Sequence, residues 1–321
     1  MRLKNKRVLV TGGCGLVGSH IAEKCLFEGA NVKIIDNLIT GDIKNISQFQ
    51  SSIEFINGDI RNKDLVERIT KDIDIIFHQA AHLNPAKAVI DPFYDFDVNM
   101  KGTLNLLFSG IKNNVEKFIM ASTYVHGRAS TSKISEDFST LFHKNSLLTP
   151  YSAAKVSAEA YLKVANDEMG LPTVRLRYTN VYGPRQRSKS ESGVIALYFK
   201  WALTNQDLIL YDKGIQKRDF VYISDVVEAN ILAAINNKAN GGVFNIGSGA
   251  EISIIDIANK IKKEVNDKIN IKYANSRAAD FLRANIDISR AKEELNYLPQ
   301  IEFNLGFQNY HEWCLNNILS L

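Results

Sequence analysis

The stretch Thr11-Gly-Gly-Cys-Gly-Leu-Val-Gly18 decides the fold of this 321-residue chain. Its glycines Gly12, Gly15 and Gly18 recur at every third position, after a short β-prone run and before an apolar helical pattern. Gly12 permits a tight turn, Gly15 lets backbone N–H groups approach a pyrophosphate, and Gly18 lets the helix pack close to the sheet. This order of strand, glycine loop and helix predicts a dinucleotide-binding unit.

Strands and helices alternate on either side of this loop. The pattern predicts helices over 18–28, 95–113 and 151–168. It predicts strands over 7–10, 31–35, 53–56, 73–77, 118–121 and 173–176. Regular alternation of this kind indicates an α/β fold with a doubly wound parallel sheet, the Rossmann architecture.

The alternation becomes less regular after about residue 176. We therefore predict a smaller, discontinuous substrate-binding domain besides the Rossmann domain. The Rossmann domain is expected to comprise residues 1–175 and 219–246, and the second domain residues 176–218 and 247–321.

Composition excludes several functional classes. A net charge of +4 is too small to indicate a nucleic-acid binder, although it suits an anionic small molecule. Three cysteines without a CxxC pair, and six histidines without an HExxH motif, give no reason to expect a disulfide framework or a metal. We see neither a secretory leader nor an apolar run of membrane-spanning length, so a cytoplasmic protein is expected.

An acidic residue follows the glycine loop at the spacing expected for a ribose contact. Asp36 ends the second predicted strand, and a carboxylate there can bind ribose hydroxyls while repelling a 2′-phosphate. This favours NAD over NADP. Asp59 and Ile60, after the third strand, lie where an adenine ring could be held, although a simple turn is the alternative explanation.

Tyr151 and Lys155 are four residues apart, which places them on one face of a predicted helix. An ammonium and an oxidised nicotinamide nearby would lower the pKa of the tyrosine, so Tyr151 could act as a base. Ser122 ends the fifth strand, at the edge where ligands bind in such sheets. Each of these residues taken alone also fits an ordinary helix face or strand end.

Longer motifs give the chain a family resemblance. It resembles the extended short-chain dehydrogenase/reductases, and among them the nucleotide-sugar epimerase/dehydratase group. The motifs that carry the resemblance are TGGCGLVG (11–18), IDNLITG (35–41), GDI (58–60), HQAA (78–81), VNMKGTLNLL (98–107), STYVHG (122–127), YSAAK (151–155), RYTNVYGPRQ (177–186), QKRDFVYISD (216–225), FNIGSG (244–249) and RANIDISRAKEELNYLP (283–299).

The resemblance implies a role for each matching position. It implies a catalytic triad of Ser122, Tyr151 and Lys155. It implies that NAD is bound by Gly12, Gly15, Leu16, Val17, Gly18, Asp36, Asn37, Asp59, Ile60, Ala80, Ala81, Asn99, Tyr151 and Lys155. It implies that a nucleotide-diphosphate sugar is bound by Ser122, Tyr124, Tyr151, Asn180, Arg218 and Arg277.

The same resemblance bears on the reaction. Members of the group oxidise the sugar at C4 to a 4-keto intermediate. The 4,6-dehydratases carry Asp-Glu where this chain has Thr123 and Tyr124, and UDP-glucuronate decarboxylases carry Glu at the Tyr124 position. Without those acids, 4-epimerisation is the expected outcome. A dehydratase, decarboxylase or 4-ketoreductase stays open as the alternative, and a non-catalytic NAD-binding scaffold as a remote one.

Departures from the family pattern concern the sugar pocket. His126 replaces a tyrosine, either as a core substitution or as a pocket group, while His82 and Leu83 replace residues that line the sugar site in known epimerases. Ala284 stands where UDP-glucose epimerases have a tyrosine, so the pocket could admit an N-acetyl group. The helices over 95–113 and 151–168 resemble those that pair in family dimers, and a homodimer is expected.

Overall fold

The computed structural model describes residues 1–124, 133–137, 149–188, 193–275 and 285–317. The strands in these ranges are β1 (Arg7–Thr11), β2 (Asn31–Asp36), β3 (Glu54–Asn57), β4 (Ile75–His78), β5 (Lys117–Thr123), β6 (Thr173–Tyr178), β7 (Asn180–Tyr182), β8 (Leu208–Tyr211), β9 (Lys217–Tyr222), β10 (Val243–Ile246), β11 (Glu251–Ser253) and β12 (Ile271–Ala274). The helices are α1 (Leu16–Phe27), α2 (Lys63–Ile69), α3 (Pro85–Ile90), α4 (Pro92–Phe96), α5 (Gly102–Lys112), α6 (Pro150–Glu168), α7 (Val194–Leu203), α8 (Ile223–Ile235), α9 (Ile254–Glu264), α10 (Ser289–Leu295) and α11 (Phe303–Asn316).

One parallel sheet organises the molecule. Its strands lie in the order β10-β6-β5-β4-β1-β2-β3, and each neighbouring pair is parallel. The chain winds outward in opposite directions from β1 and β4, so a crevice opens between the carboxyl ends of these two strands. The predicted fold class, a doubly wound parallel sheet, is confirmed.

Both faces of the sheet are buried, as expected for parallel strands. Along β1, Val8 and Val10 point to the core under α1 and α8, while Leu9 points to the core under α2, α5 and α6. Alternate side chains therefore supply two separate apolar layers. The near-continuous apolar run of β1 follows from this double burial.

The helix predicted over 95–113 is interrupted. A π-helical turn, Asp97–Lys101, joins α4 to α5, and Pro92 sits in the first turn of α4. A π turn carries one extra residue and shifts the faces of the two flanking segments relative to each other. Apolar periodicity does not reveal such a turn, because the helical pattern continues on both sides of it.

The second part of the chain builds two small sheets. One has the order β11-β9-β7, and the other pairs β12 with β8. Strand β6 of the main sheet continues to Tyr178. Strand β9, which ends at Tyr222, belongs to a small sheet. The domain boundaries at 175 and 219 remain a prediction. As predicted, β10 returns to the main sheet.

Two ion pairs connect the segment after β7 to the region of the glycine loop. Arg185 binds Glu23 of α1 at 2.7 Å, and Arg187 lies 3.2 Å from Asp42. Within the described ranges, no helix is both long and apolar enough to cross a bilayer.

Candidate active site

The glycine loop forms a cradle between β1 and α1. Gly12 adopts a left-handed φ of 64°, and a Cβ there would lie 2.8 Å from the Ala80 backbone nitrogen. Gly15 caps α1 without a side-chain hydrogen bond, and the first turn, which includes Leu16, Val17 and Gly18, holds no acidic residue. Among the described residues the first-turn N–H groups therefore lack a capping carboxylate, and they suit the diphosphate of NAD.

Asp36 closes the far side of this cradle. Its carboxylate accepts hydrogen bonds from the backbone of Cys14 at 2.9 Å and of Leu38 at 2.8 Å. Burial raises the pKa of Asp36, although these two hydrogen bonds oppose the shift. Each oxygen keeps a lone pair beyond the one used by these bonds, so the group suits two ribose hydroxyls.

The predicted adenine contacts lie next to Asp36. Asp59 accepts hydrogen bonds from Asn37 at 2.9 Å and from the Arg61 guanidinium at 2.9 and 3.0 Å. Burial disfavours the Asp59 carboxylate, but the hydrogen bonds outweigh it and lower the pKa to about 2. Ile60 is buried, and its carbonyl accepts from Asn105. These hydrogen bonds therefore hold Asp59 in its charged form next to Asp36.

The loop after β4 contains the predicted residues Ala80 and Ala81. The Ala80 nitrogen donates to Thr11 Oγ1 at 3.1 Å, which holds the loop against the end of β1. Asn99 fixes the next residue, because its amide accepts from the His82 nitrogen and donates to the His82 oxygen, both at 2.9 Å. The Asn99 side chain therefore binds this loop rather than opening to the crevice.

Tyr151 and Lys155 occupy the first turns of α6, where Thr149 forms a capping box with Ser152. Both are buried, and the Tyr151 hydroxyl shares a hydrogen bond with Thr123 at the end of β5. Burial raises the pKa of Tyr151, while burial lowers that of Lys155 to about 8. Desolvation is the largest cause of both shifts, and the lowering of the Tyr151 pKa by an ammonium and an oxidised nicotinamide together remains a prediction.

Lys155 also supports the strand beside it. Its ammonium donates to the Ala121 carbonyl at 3.0 Å, which fixes the end of β5. The predicted tyrosine and lysine therefore converge with β5 at the carboxyl edge of the sheet.

The Ser122 side chain binds an acidic residue of α6. Its hydroxyl donates to Glu159 at 2.5 Å, and Glu159 forms a two-pronged ion pair with Arg177 at 2.9 and 2.6 Å. Within the described residues, the hydroxyl that binds Tyr151 is thus Thr123, one position further along the strand.

His78 links three elements below this centre. Its Nδ1 lies 2.8 Å from Thr11 Oγ1, and its Nε2 lies 2.8 Å from Thr103 Oγ1. Burial lowers the pKa of His78 to about 3, so the ring is neutral in the working range. The histidine is a structural bridge between β1, β4 and α5.

Comparison with known proteins decides the family. A model of the NAD dependent epimerase/dehydratase family matches residues 8–247. The chain belongs to this family. NAD is accordingly its cofactor, and the glycine cradle with Asp36 fits that molecule.

Relatives within the family catalyse more than one reaction. The chain is 38% identical to the "Putative UDP-glucose 4-epimerase" of Methanocaldococcus jannaschii, over 97% of this chain and 99% of that protein. It is 31% identical to the UDP-N-acetyl-alpha-D-glucosaminuronate decarboxylase of Bacillus cytotoxicus, over 96% and 97%. The crystal structure of UDP-glucose 4-epimerase with UDP-glucose from Thermotoga maritima superposes with a TM-score of 0.90 at 32% identity, covering 97% and 99%.

The substrate positions that the family resemblance implied lie beside β5. Asn180 donates to the Tyr124 hydroxyl at 3.2 Å and to the Asp219 carbonyl at 2.8 Å. Tyr124 is buried, which raises its pKa, and the charge of Arg218 opposes that shift. The structure therefore brings Tyr124, Asn180 and Arg218 together. The predicted residues Arg277, His126 and Ala284 lie outside the described residues.

Sequence reasoning missed three polar groups of this centre: Thr123, Asp95 and Glu159. Glu159 follows Lys155 by four residues and Tyr151 by eight, so helical spacing could have revealed it. Asp95 and Thr123 gave no such signal, because their relevance depends on how α4 and β5 meet α6. Within the described ranges, no three His, Cys, Asp or Glu side chains converge as metal ligands do.

Proposed function

We propose that this protein is an NAD-dependent 4-epimerase of a nucleotide-diphosphate sugar, a UDP-hexose or a UDP-N-acetylhexosamine. The observation that carries the proposal is the buried Tyr151 hydroxyl, bonded to Thr123 beside a buried Lys155 at the crevice. A phenol without bulk solvent is suited to exchanging one proton with one bound hydroxyl.

The cofactor and the side chains of the site have different parts in the proposed reaction. NAD would be held by the glycine cradle and Asp36, and it would supply a hydride acceptor and donor for the sugar C4. Tyr151 accepts the proton of the C4 hydroxyl as the ketone forms and returns it when the ketone is reduced. Lys155 keeps a positive charge beside the phenolate, and Thr123 donates to it. Ser122 remains the proposed hydroxyl for the substrate, and its bond to Glu159 fixes its rotamer.

The side chains after Ser122 favour epimerisation over elimination. Thr123 and Tyr124 carry no carboxylic acid, and Tyr124 is bound to Asn180. Without an acid at these two positions, the end of β5 offers no group to assist loss of water or carbon dioxide from the 4-keto sugar. Return of the hydride to the opposite face of the ring is the outcome that this site supports.

Polar groups near Tyr124 suit the nucleotide end of the substrate. Asn180 and Arg218 lie together, and Arg277 belongs with them by family resemblance. A guanidinium fork matches diphosphate oxygens, and the small positive net charge of the chain favours such an anion. We assign these three residues to the diphosphate.

Product analysis tests the reaction. Purified protein would be incubated with a panel of nucleotide sugars, without added cofactor, and scored by NMR. We expect a pair of C4 epimers at equilibrium. Loss of water or carbon dioxide would show that the protein is a lyase instead. A requirement for added NADH would indicate a reductase. If no sugar changes, the protein only binds NAD.

The sugar substituent is tested within the same panel. Ala284 is the small residue from which we propose a pocket for an N-acetyl group. We expect turnover of UDP-N-acetylglucosamine, and Ala284→Tyr should reduce it more than turnover of UDP-glucose. Turnover of UDP-glucose alone would contradict the N-acetyl proposal.

The base is tested by Tyr151→Phe. Loss of the hydroxyl should cut turnover by about 10²–10⁴-fold while leaving the fold and the NAD content intact, because only proton transfer is removed. Turnover would be followed by NMR, and NAD content by absorbance after denaturation. Near-normal turnover in this variant would rule out Tyr151 as the base.

We further propose that the protein is a homodimer working in the cytoplasm. Helices α3 and α4 expose Ile90 and Phe93 by more than four-fifths, and α5 and α6 expose Phe108, Tyr161 and Val164. Neighbouring apolar side chains of this kind are typical of a subunit interface. Three unpaired, buried cysteines suit a reducing compartment.

A further inference from the structure

One buried acid beside the catalytic centre has no place in the mechanism above. Asp95 of α4 is 0% exposed. Its Oδ1 accepts from Asn99 at 3.0 Å and lies 2.9 Å from His82 Nδ1. Its Oδ2 is buried and has no hydrogen-bond partner among the described residues. A carboxylate buried with one bare oxygen is costly, and such a group in a folded protein calls for an explanation.

The nearest functional groups belong to α6, against which α4 packs. Burial raises the pKa of Tyr151, and the charge of Asp95 raises it further. Burial lowers the pKa of Lys155, and the charge of Asp95 counteracts that shift. One carboxylate thus influences both members of the catalytic pair in the same direction.

His82 is the second half of this arrangement. Asn99 holds its backbone on both sides, and its ring lies edge-on to Tyr94 with centroids 5.3 Å apart. Asp95 faces one ring nitrogen, Nδ1. A proton taken up by this ring would cancel the charge of Asp95.

We propose that Asp95 and His82 form a charge-setting pair, in which the net charge of the pair controls the ionisation of Tyr151 and Lys155. The proposal rests on the role of Tyr151 as base. Asp95 is then a positioning residue that touches no substrate. With His82 neutral, the pair carries one negative charge and holds the proton on Tyr151 and Lys155. With His82 protonated, that restraint is removed.

Other titratable groups near Asp95 do not provide this switch. His78 stays neutral in the working range, and Glu159 is paired with Arg177. The titratable groups on the elements packed around Asp95 include His82 in the loop after β4, His78 on β4, Tyr94 on α4 and Asp91 at its N-cap, Asp97 and Lys101 on the π turn, Lys87 on α3, and Tyr151, Lys155 and Glu159 on α6.

The test is the pH profile of kcat/KM for Asp95→Asn. The amide keeps the shape and an acceptor for Asn99 but removes the charge. Both limbs of the profile should move to lower pH, by about one pH unit, because the phenolate forms more easily and the ammonium is lost more easily. The matched control is Asp97→Asn, two residues further along, which removes an exposed charge and should leave both limbs in place.

A second readout does not need turnover. Tyrosinate absorbance in the near ultraviolet would be titrated in the holoenzyme, each protein being compared with its own Tyr151→Phe version. The absorbance due to Tyr151 should appear at lower pH in Asp95→Asn than in wild type. If Tyr151→Phe retains activity, the base assignment fails. If Tyr151 is the base but its ionisation is unchanged in Asp95→Asn, the charge-setting pair fails.

A further variant serves if Asp95→Asn does not fold. His82→Asn keeps a donor in the place of Nδ1 but cannot take up a proton. The pair then stays negative at low pH, so the acid limb should move to higher pH than in wild type. An unchanged acid limb in a folded His82→Asn protein would overturn the proposal.

Discussion

At the scale of single residues, two neighbouring hydroxyls at the end of β5 have separate partners. Ser122 meets Glu159 in the middle of α6, while Thr123, the last residue of β5, reaches Tyr151 in the first turn of the same helix. The family motif favours the first hydroxyl, but only the structure separates their partners.

This separation yields a test with two variants. The hydrogen bond from Thr123 stabilises the Tyr151 phenolate, so Thr123→Val should shift the acid limb of kcat/KM to higher pH and reduce turnover near pH 7 about tenfold. Ser122→Ala should leave the pH of that limb unchanged, whatever it does to the maximum. A larger shift in Ser122→Ala than in Thr123→Val would show that the hydroxyls exchange roles in solution.

At the scale of elements, the turn between β1 and α1 depends on a glycine for two reasons. Gly12 has a positive φ and also lacks room for a Cβ, because the Ala80 backbone lies 2.8 Å away from where that atom would be. Gly170, after α6, has a positive φ of 71°, but a Cβ at this position would meet no atom within 4 Å. A side chain at Gly170 would therefore cause backbone strain alone, whereas a side chain at Gly12 would cause both backbone strain and a steric clash.

Gly12→Ala should therefore lower the free energy of unfolding by about 3 kcal/mol or more and abolish NAD retention. Gly170→Ala should cost only about 1 kcal/mol, from φ alone, and keep its NAD. Urea unfolding and the NAD content of purified protein measure both. Equal losses in the two variants would mean that the Ala80 contact is unimportant.

A buried lysine fastens α8 to the sheet. Lys117 of β5 donates to the carbonyls of Ala233 and Asn236 at 3.3 and 3.0 Å, at the carboxyl end of the helix. Cations are favoured at that end of a helix. Burial nevertheless lowers the pKa of Lys117 to about 8.

The sign of the resulting pH effect follows from proton binding. Between about pH 8 and 10, the unfolded chain holds more of the Lys117 proton than the folded chain, so raising the pH increases stability. The stability of wild type relative to Lys117→Met should therefore rise across this window by about 1 kcal/mol. Urea midpoints at both ends of the window measure it. A constant difference would show that the lysine titrates normally.

The sequence specified the main elements well and their mutual contacts poorly. Short apolar runs predicted both ends of β1 to β6 to within two residues, because buried parallel strands leave a strong signal. The π turn at 97–101 and the extension of β6 to Tyr178 gave no local signal. Asp95 and Thr123 were missed for a related reason, since their partners lie on other elements.

At the scale of the whole molecule, α5 and α6 present apolar side chains outward. If they form the proposed subunit interface, a charge placed there should separate the subunits. Val164→Glu combined with Phe108→Glu should give a monomer by sedimentation, since both side chains are 44% exposed in one subunit. Leu305→Glu, at a similarly exposed site on α11, is the control and should leave the assembly unchanged.

The orientation of α4, which carries both Phe93 of the outer surface and Asp95 beside α6, depends on the π-helical turn. Each residue of a helix advances its phase by about 100°. The π turn takes up one residue more than an α turn, so regular α winding of the same residues would turn α4 by about that angle relative to α5. Asp95 would leave its place beside α6, and Phe93 would leave the outer face together with it. The π winding of this segment therefore keeps Asp95 beside α6 and Phe93 on the outer face, and a change that restored regular winding without removing a residue would disturb chemistry and assembly together.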